Sequence, residues 1–316
     1  MLEILGITGP LFAAMALGFI AVRLAFFSKA DIRVLGRFVI AIALPALLFK
    51  ALAERSFADI LNVTYLAGYG LGSLIVLLIG GGVAYFFKKQ GPQASAMVGL
   101  GMSLSNSGFI GYPVVLQFLG PSATVAVALS MIIENLLILP LVFALAESRA
   151  DDGLVRRWQT TVVVIFRGFL KNPLILAITF GFISSMSGLS LPVAVAKTID
   201  MFAMASGAVA LFVIGGTLVG LRLKGEMAKI ILICVGKLLL HPLAVFLVLL
   251  VLPPIDPVLH QAALILACIP MLSVYPILAQ KYGQEEWCAA VLLAATVTSF
   301  VTISAMLWLV SGGWVV

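Results

Sequence analysis

Ser103-Leu104-Ser105-Asn106-Ser107-Gly108-Phe109-Ile110-Gly111-Tyr112-Pro113 interrupts one long apolar stretch, and Cys268-Ile269-Pro270-Met271-Leu272-Ser273-Val274-Tyr275-Pro276 interrupts another. Proline removes a backbone donor and clashes with the preceding turn. Glycine and serine lower the helical preference further. Non-helical backbone inside an apolar span is tolerated only where protein or a water-filled cavity surrounds it. The two interruptions are related by an offset of 163 residues, which places Tyr112, Pro113, Gln117 and Gly120 on Tyr275, Pro276, Gln280 and Gly283. The same offset carries Pro10, Leu11, Ala14, Gly18, Phe19 and Ile20 onto Pro173, Leu174, Ala177, Gly181, Phe182 and Ile183, and Leu48 and Phe49 onto Leu211 and Phe212. One unbroken offset serving three separate helices marks an internal repeat.

The surrounding composition is 63% hydrophobic and 10% charged, whereas a soluble domain carries about 25% charged residues. So few charges cannot cover a water-facing surface, so lipid must cover most of it. A span needs roughly 20 apolar residues to cross a ~30 Å hydrocarbon core. Apolar runs fall at 8–27, 32–53, 62–87, 94–119, 122–146, 172–190, 194–221, 227–252, 258–281 and 286–310. The expected fold is an all-α integral membrane protein of ten transmembrane helices, with the fourth and ninth broken. Residues 1–150 form the first five-helix repeat, 151–171 a cytoplasmic connector, and 172–316 the second repeat. An odd number of spans per repeat inverts the second in the membrane, an architecture common among secondary transporters.

The net charge of +6 is read as a topology signal and not as a nucleic-acid surface. Connectors on one side hold Lys29, Arg33, Lys88, Lys89, Arg149, Arg156, Arg157, Arg167, Lys171, Arg222, Lys224, Lys229 and Lys281, thirteen in all, against Arg55 and Lys197 on the other. The positive-inside rule then puts both termini outside the cytoplasm, with the Glu147–Lys171 loop inside, in a cell (plasma or inner) membrane. Arg23 and Arg37 read as interfacial anchors. Cys234, Cys268 and Cys288 show no CxxC spacing and read as small core residues. The first apolar run outlasts a signal peptide and reads as a retained helix.

Paired interruptions in corresponding spans point to a transporter's binding site. Pro113 and Pro276 suit the first turn of a second half-helix, whose free amides and dipole attract an anion. Candidate substrate-binding residues are Asn106, Ser107, Gly111, Tyr112, Pro113, Asn135, Pro270, Ser273, Tyr275 and Pro276. Glu134 is an acid in an otherwise uncharged span, where a central charge costs roughly 2.5–3.5 kcal/mol. Two readings stand for it: a coupling group carrying a proton or ligating a cation, or a neutral acid hydrogen-bonded in the bundle. Asn135 projects about 100° away round the helix, so it can face substrate while Glu134 faces the bundle. Lys237 and His241, spaced i, i+4 before Pro242, read as internal hydrogen-bonding or snorkelling groups ahead of a substrate counter-charge. Thr296, Thr298, Ser299 and Thr302 read as helix-packing residues, and Gly68-x-x-x-Gly72 and Gly216-x-x-x-Gly220 as close-contact motifs. Gly80-Gly81-Gly82 lacks the lysine and hydroxyl of a P-loop. Two histidines argue against haem or a multi-histidine metal centre, and no nucleophile–base constellation stands out. No cofactor, no metal and no enzymatic activity are therefore expected.

With these residues in view the chain resembles the auxin efflux carrier family, in particular its prokaryotic malonate and dicarboxylate permease-like members. The carriers of the likeness are Leu44-Pro45-Ala46-Leu47-Leu48-Phe49, Asn106 to Pro113, His241-Pro242, and Ala279-Gln280-Lys281-Tyr282-Gly283. The resemblance implies a five-plus-five inverted repeat with spans four and nine crossing at the membrane centre. It implies a scaffold of spans one, two, six and seven, paired as a homodimer, and a moving unit of the other six. The family's crossover asparagine falls on Asn106 and its prolines on Pro113 and Pro276. The plant carriers have an acid in span three that is absent from Leu66 to Tyr85 here, so Glu134 replaces it or transport is an uncoupled uniport. The function implied is secondary active transport or uniport of a small organic anion, an auxin-like monocarboxylate or a dicarboxylate such as malonate or malate, by an elevator mechanism. Two rival classes stay open: a sodium-coupled symporter of the bile-acid type, and a non-transport membrane protein.

Overall fold

The computed structural model describes residues 2–53, 62–147, 172–187, 191–223 and 226–313, with side chains from residue 4. The expected 151–171 connector lies outside the described residues, as do Arg55, Arg149 and Lys224. Among the described residues every regular element is helical: α1 (Leu2–Arg23), α2 (Lys29–Ala53), α3 (Val63–Phe87), α4 (Pro92–Ser103), α5 (Tyr112–Leu119), α6 (Pro121–Ala146), α7 (Pro173–Ser187), α8 (Val193–Leu218), α9 (Met227–Val251), α10 (Pro257–Cys268), α11 (Tyr275–Gln280) and α12 (Glu285–Ser311). Seven of them, α1, α2, α3, α6, α8, α9 and α12, are long and apolar enough to cross a membrane. Their exposed side chains include Leu17, Leu78, Ile231, Leu250 and Val297, an apolar surface that only lipid solvates without cost. The chain is a multi-pass membrane protein whose described regular elements are all helices.

Local chemistry sets the helix starts. Ser28 and Asp31 form a capping box on α2: Asp31 N–H donates to Ser28 Oγ at 3.2 Å and Ser28 N–H to Asp31 Oδ2 at 2.8 Å. Asp256 caps α10 by accepting from the amides of Val258 and Leu259. Wide π turns occupy Val39–Ala43, Ser107–Gly111, Glu134–Ile138 and Gly236–Leu240. A fifth lies at Val83–Phe87; Pro45, Pro113, Pro140 and Pro242 follow the other four, each two residues on. The carbonyl that a proline ring strikes lies four residues back: at Ala41, Phe109, Leu136 and Leu238, the middle residue of each of those four π turns. Widening the turn moves that carbonyl aside, and π turns are frequent at functional sites. Here they hold Ser107, Glu134 and Lys237.

The chain folds as two compact units, each drawing on both halves of the sequence. The first comprises Met1–Val63, Gly108–Leu129 and Arg167–Val219. It therefore takes in α5 and the start of α6 besides the four helices named for a scaffold, because Gly207 leaves α8 flat against Tyr112 and Pro113, a Cβ there lying 3.7 Å from both. In this unit α1 and α8 cross at backbone contact. A Cβ on Gly215 would lie 1.7 Å from the Met15 carbonyl oxygen, and one on Gly18 would lie 2.0 Å from that of Phe212. A Cβ on Gly181 in α7 would lie 3.2 Å from the Phe49 carbonyl oxygen in α2. Gly216 of the second glycine pair meets Ile32.

Gly215→Ala is expected to lower thermal stability, because backbone must shift and overpacking costs about 1–3 kcal/mol. Gly9→Ala, with nothing within 4 Å of its new Cβ, is the control and should not lower it. Equal unfolding temperatures for the two variants in detergent would contradict the close α1–α8 crossing.

The second unit comprises Thr64–Ser107, Ser130–Phe166 and Gly220–Val316. In it Gly72 abuts the Val245 backbone, 2.7 Å from a built Cβ to its Cα, and Gly68 meets Leu249, so the first glycine pair seats α3 on α9. Its apolar core includes Val76, Met97, Leu100, Ile138, Ile233 and Val291. Cys268 and Cys288 are buried and Cys234 half-buried, all as free thiols. Thr296, Ser299 and Thr302 hydroxyls donate to carbonyls of their own helix. Glu147, just past α6, takes the Lys281 ammonium and the Tyr282 hydroxyl beyond α11.

Candidate functional site

Helix α4 stops at Ser103 because Leu104 is extended (φ −99°, ψ 131°), and α10 stops at Cys268 because Ile269 is extended (φ −68°, ψ 141°). The two breaks are joined directly: Asn106 N–H donates to the Pro270 carbonyl at 2.9 Å. Ser105, Asn106, Ser107 and Pro270 are all buried. This is irregular backbone enclosed by protein, the condition under which it is tolerated at membrane depth.

A buried polar network surrounds these breaks within the second unit. Glu134 Oε1 accepts from the Ser107 hydroxyl at 2.5 Å and the Tyr69 hydroxyl at 3.0 Å. Tyr69 also lies 3.2 Å from Ser105 Oγ. Lys237 Nζ donates to Ser105 Oγ at 2.6 Å and to the Ala267 carbonyl at 3.0 Å, and meets His241 Nδ1 at 2.6 Å. His241 Nε2 faces Ser73 Oγ at 2.8 Å. Tyr65 stacks on Tyr69 with ring centroids 6.1 Å apart and shares a 2.8 Å hydrogen bond with Ser130. Glu134 is 3% exposed and Lys237 and His241 0%. Buried charges demand pairing and hydrogen bonding, and here an acid and a base are joined through Tyr69 and Ser105.

The second unit thus brings Asn106, Ser107, Glu134 and Pro270 together. Asn135 is half-buried and donates to the Met131 carbonyl at 2.8 Å. Tyr275 donates to the Met97 carbonyl at 2.8 Å and its ring meets Trp287, while Ser273 and Pro276 are half-buried. Gly111, Tyr112 and Pro113 belong to the first unit. There Tyr112 and Pro113 line a cleft of about 900 Å³ with Lys50, Gln117 and Thr124, among apolar residues of α1, α2 and α8. Lys50 pairs with Asp200 at 2.5 Å.

Of the readings the sequence leaves open for Lys237 and His241, internal hydrogen bonding or snorkelling, the buried network matches the first, whereas Tyr65, Tyr69, Ser73, Ser105 and Ser130 were not singled out. The signal was present. Tyr65, Tyr69 and Ser73 recur every fourth residue, as do Ser130 with Glu134 and Lys237 with His241, so each set lies on one helix face.

The membrane transport protein family matches residues 8–308. The chain belongs to this family, to which the auxin efflux carriers also belong. It is 28% identical over 314 residues to the "Putative malonate transporter" of Rhizobium meliloti (strain 1021), covering 99% of this chain and 98% of the relative. It is 29% identical over 247 residues to the uncharacterized transporter YfdV of Escherichia coli (strain K12), covering 76% of each. It is 26% identical over 253 residues to the lysosomal cholesterol signaling protein of Mus musculus, covering 73% of this chain but 28% of that longer protein. The chain is a membrane transporter and not an enzyme.

Proposed function

We propose that this transporter moves a small organic anion, a dicarboxylate such as malonate, by an elevator-like alternation that carries the crossover across the membrane. The observation that carries this reading is the Asn106–Pro270 hydrogen bond joining two buried helix breaks, since broken helices bind substrate and coupling ion in secondary transporters. The near full-length likeness to a relative named for malonate supports the dicarboxylate. Within the second unit the proposed substrate contacts are Asn106, Ser107, Asn135, Pro270, Ser273, Tyr275 and Pro276, with Glu134 as the coupling group. Uptake of a mono- and dicarboxylate panel into proteoliposomes, with and without a pH gradient, tests the substrate. Malonate or a close dicarboxylate should be taken up, and a panel no better than empty vesicles would refute the reading.

Ten spans, two inverted five-helix repeats and a homodimer belong to the same proposal. Support for the repeat comes from contacts that map onto each other. Gly18 and Gly181 are offset equivalents, as are Phe49 and Phe212; Gly18 abuts Phe212 and Gly181 abuts Phe49. Cysteines at Asp152 and at the exposed Pro254, a site that spares the Asp256 cap, should label from opposite sides of the membrane. Labelling from one side would refute the ten-span topology, and labelling of the Asp152 position from outside would refute non-cytoplasmic termini.

A further inference from the structure

We propose that the Lys237 ammonium is a tethered cation, filling within the fold the place that a coupling sodium ion takes at a broken-helix crossover, so that anion transport by this chain is independent of sodium. The proposal rests on the transport reading above. Where membrane helices break, unwound backbone carbonyls and half-helix C-terminal ends are what a coupling cation binds. Those carbonyls lack intrahelical donors and carry the negative end of the helix dipole. Lys237 Nζ meets one such carbonyl at the second break and a side-chain hydroxyl at the first. It donates to the carbonyl of Ala267, one residue before the end of α10, at 3.0 Å, and to the hydroxyl of Ser105, past the end of α4, at 2.6 Å.

The third contact completes the ammonium's valence. An ammonium has three protons and no lone pair. With Ser105 and Ala267 accepting two, His241 Nδ1 accepts the third at 2.6 Å. The imidazole proton then lies on Nε2, which donates to Ser73 Oγ at 2.8 Å, and His241 is neutral. The balancing charge is Glu134, reached through Tyr69, whose hydroxyl lies 3.2 Å from Ser105 Oγ and 3.0 Å from Glu134 Oε1. One fully buried lysine thereby spans both breaks and is balanced by an acid, as a shared metal cation would be.

Thermal unfolding of the purified full-length protein in sodium and in choline salts, together with anion uptake in the same salts, tests this. The wild type should unfold at the same temperature and transport at the same rate in both. Lys237→Met, of similar length without the charge, should lose at least about tenfold in uptake, roughly 1.4 kcal/mol of stabilisation. It should also gain a cation response, with sodium or ammonium raising its unfolding temperature by mass action. A wild type whose unfolding temperature rises with sodium, or whose uptake rises several-fold with it, overturns the proposal. So does a Lys237→Met protein that transports like the wild type, or one that no cation stabilises. If that variant cannot be purified, the wild-type comparison still decides. The unfolding readout needs no substrate, so indifference to sodium with no anion transport would sink the transport reading alone.

Discussion

Asn106→Ala is expected to cut organic-anion uptake at least about tenfold, roughly 1.4 kcal/mol, while expression and thermal unfolding stay close to wild type. Alanine keeps the main-chain bond to Pro270, so the variant removes the side chain and leaves the joined breaks in place. Pro113→Ala and Pro276→Ala should each reduce uptake comparably by a different route. Each restores an N–H and removes the clash that proline makes with the preceding turn, letting helix grow back toward the break. At Pro113 the widened Ser107–Gly111 turn is then no longer enforced, and Ser107 loses its fixed approach to Glu134. The measurement is initial uptake per folded transporter in proteoliposomes. Wild-type uptake in all three variants would reduce the prolines to kinks and remove the crossover from the site.

Glu134→Gln should abolish gradient-driven accumulation and leave substrate exchange largely intact. Ser107 and Tyr69 both donate to the same oxygen, Oε1, and a glutamine carbonyl accepts both bonds in the same geometry. The substitution therefore removes the titratable proton and the charge with little change in shape. Exchange returns the carrier loaded and does not require that proton to be released, whereas net accumulation against a gradient does. The variant should also unfold at a lower temperature, because Lys237 then keeps a buried charge without its acid, and breaking a buried pair is costly. An imposed pH gradient across the vesicle separates the two activities. Accumulation equal to wild type would make Glu134 a packing residue.

Much of this fold could be read from residue patterns because lipid imposes a simple rule. Long apolar runs must be helices, and α1, α2, α3, α6, α8, α9 and α12 have the length and composition to span. The breaks at Leu104 and Ile269 were legible because Ser, Asn, Gly and Pro cluster there within apolar surroundings. Glu134, Lys237 and His241 stood out because charge in a span is costly. The hydroxyls were not legible in the same way. Ser105 and Ser130 look like ordinary small residues, and Tyr65 and Tyr69 like interfacial aromatics. Only the folded chain shows that Tyr69 and Ser105 connect the acid to the lysine, with Tyr65 stacked on Tyr69 and bonded to Ser130. The composition of the compact units was hidden too, since proximity of Gly207 to Tyr112 and Pro113 depends on tertiary packing between distant segments.

The most direct test of transport at the crossover is counterflow with the purified protein. Vesicles loaded with unlabelled malonate are placed in a trace of labelled malonate, and the internal label is followed in time. A carrier with an exchange-competent crossover gives a transient overshoot of label above its equilibrium level. That overshoot should appear with the wild type and Glu134→Gln and vanish with Asn106→Ala. No overshoot with wild type, for malonate or any anion of the carboxylate panel, would contradict organic-anion transport by this chain.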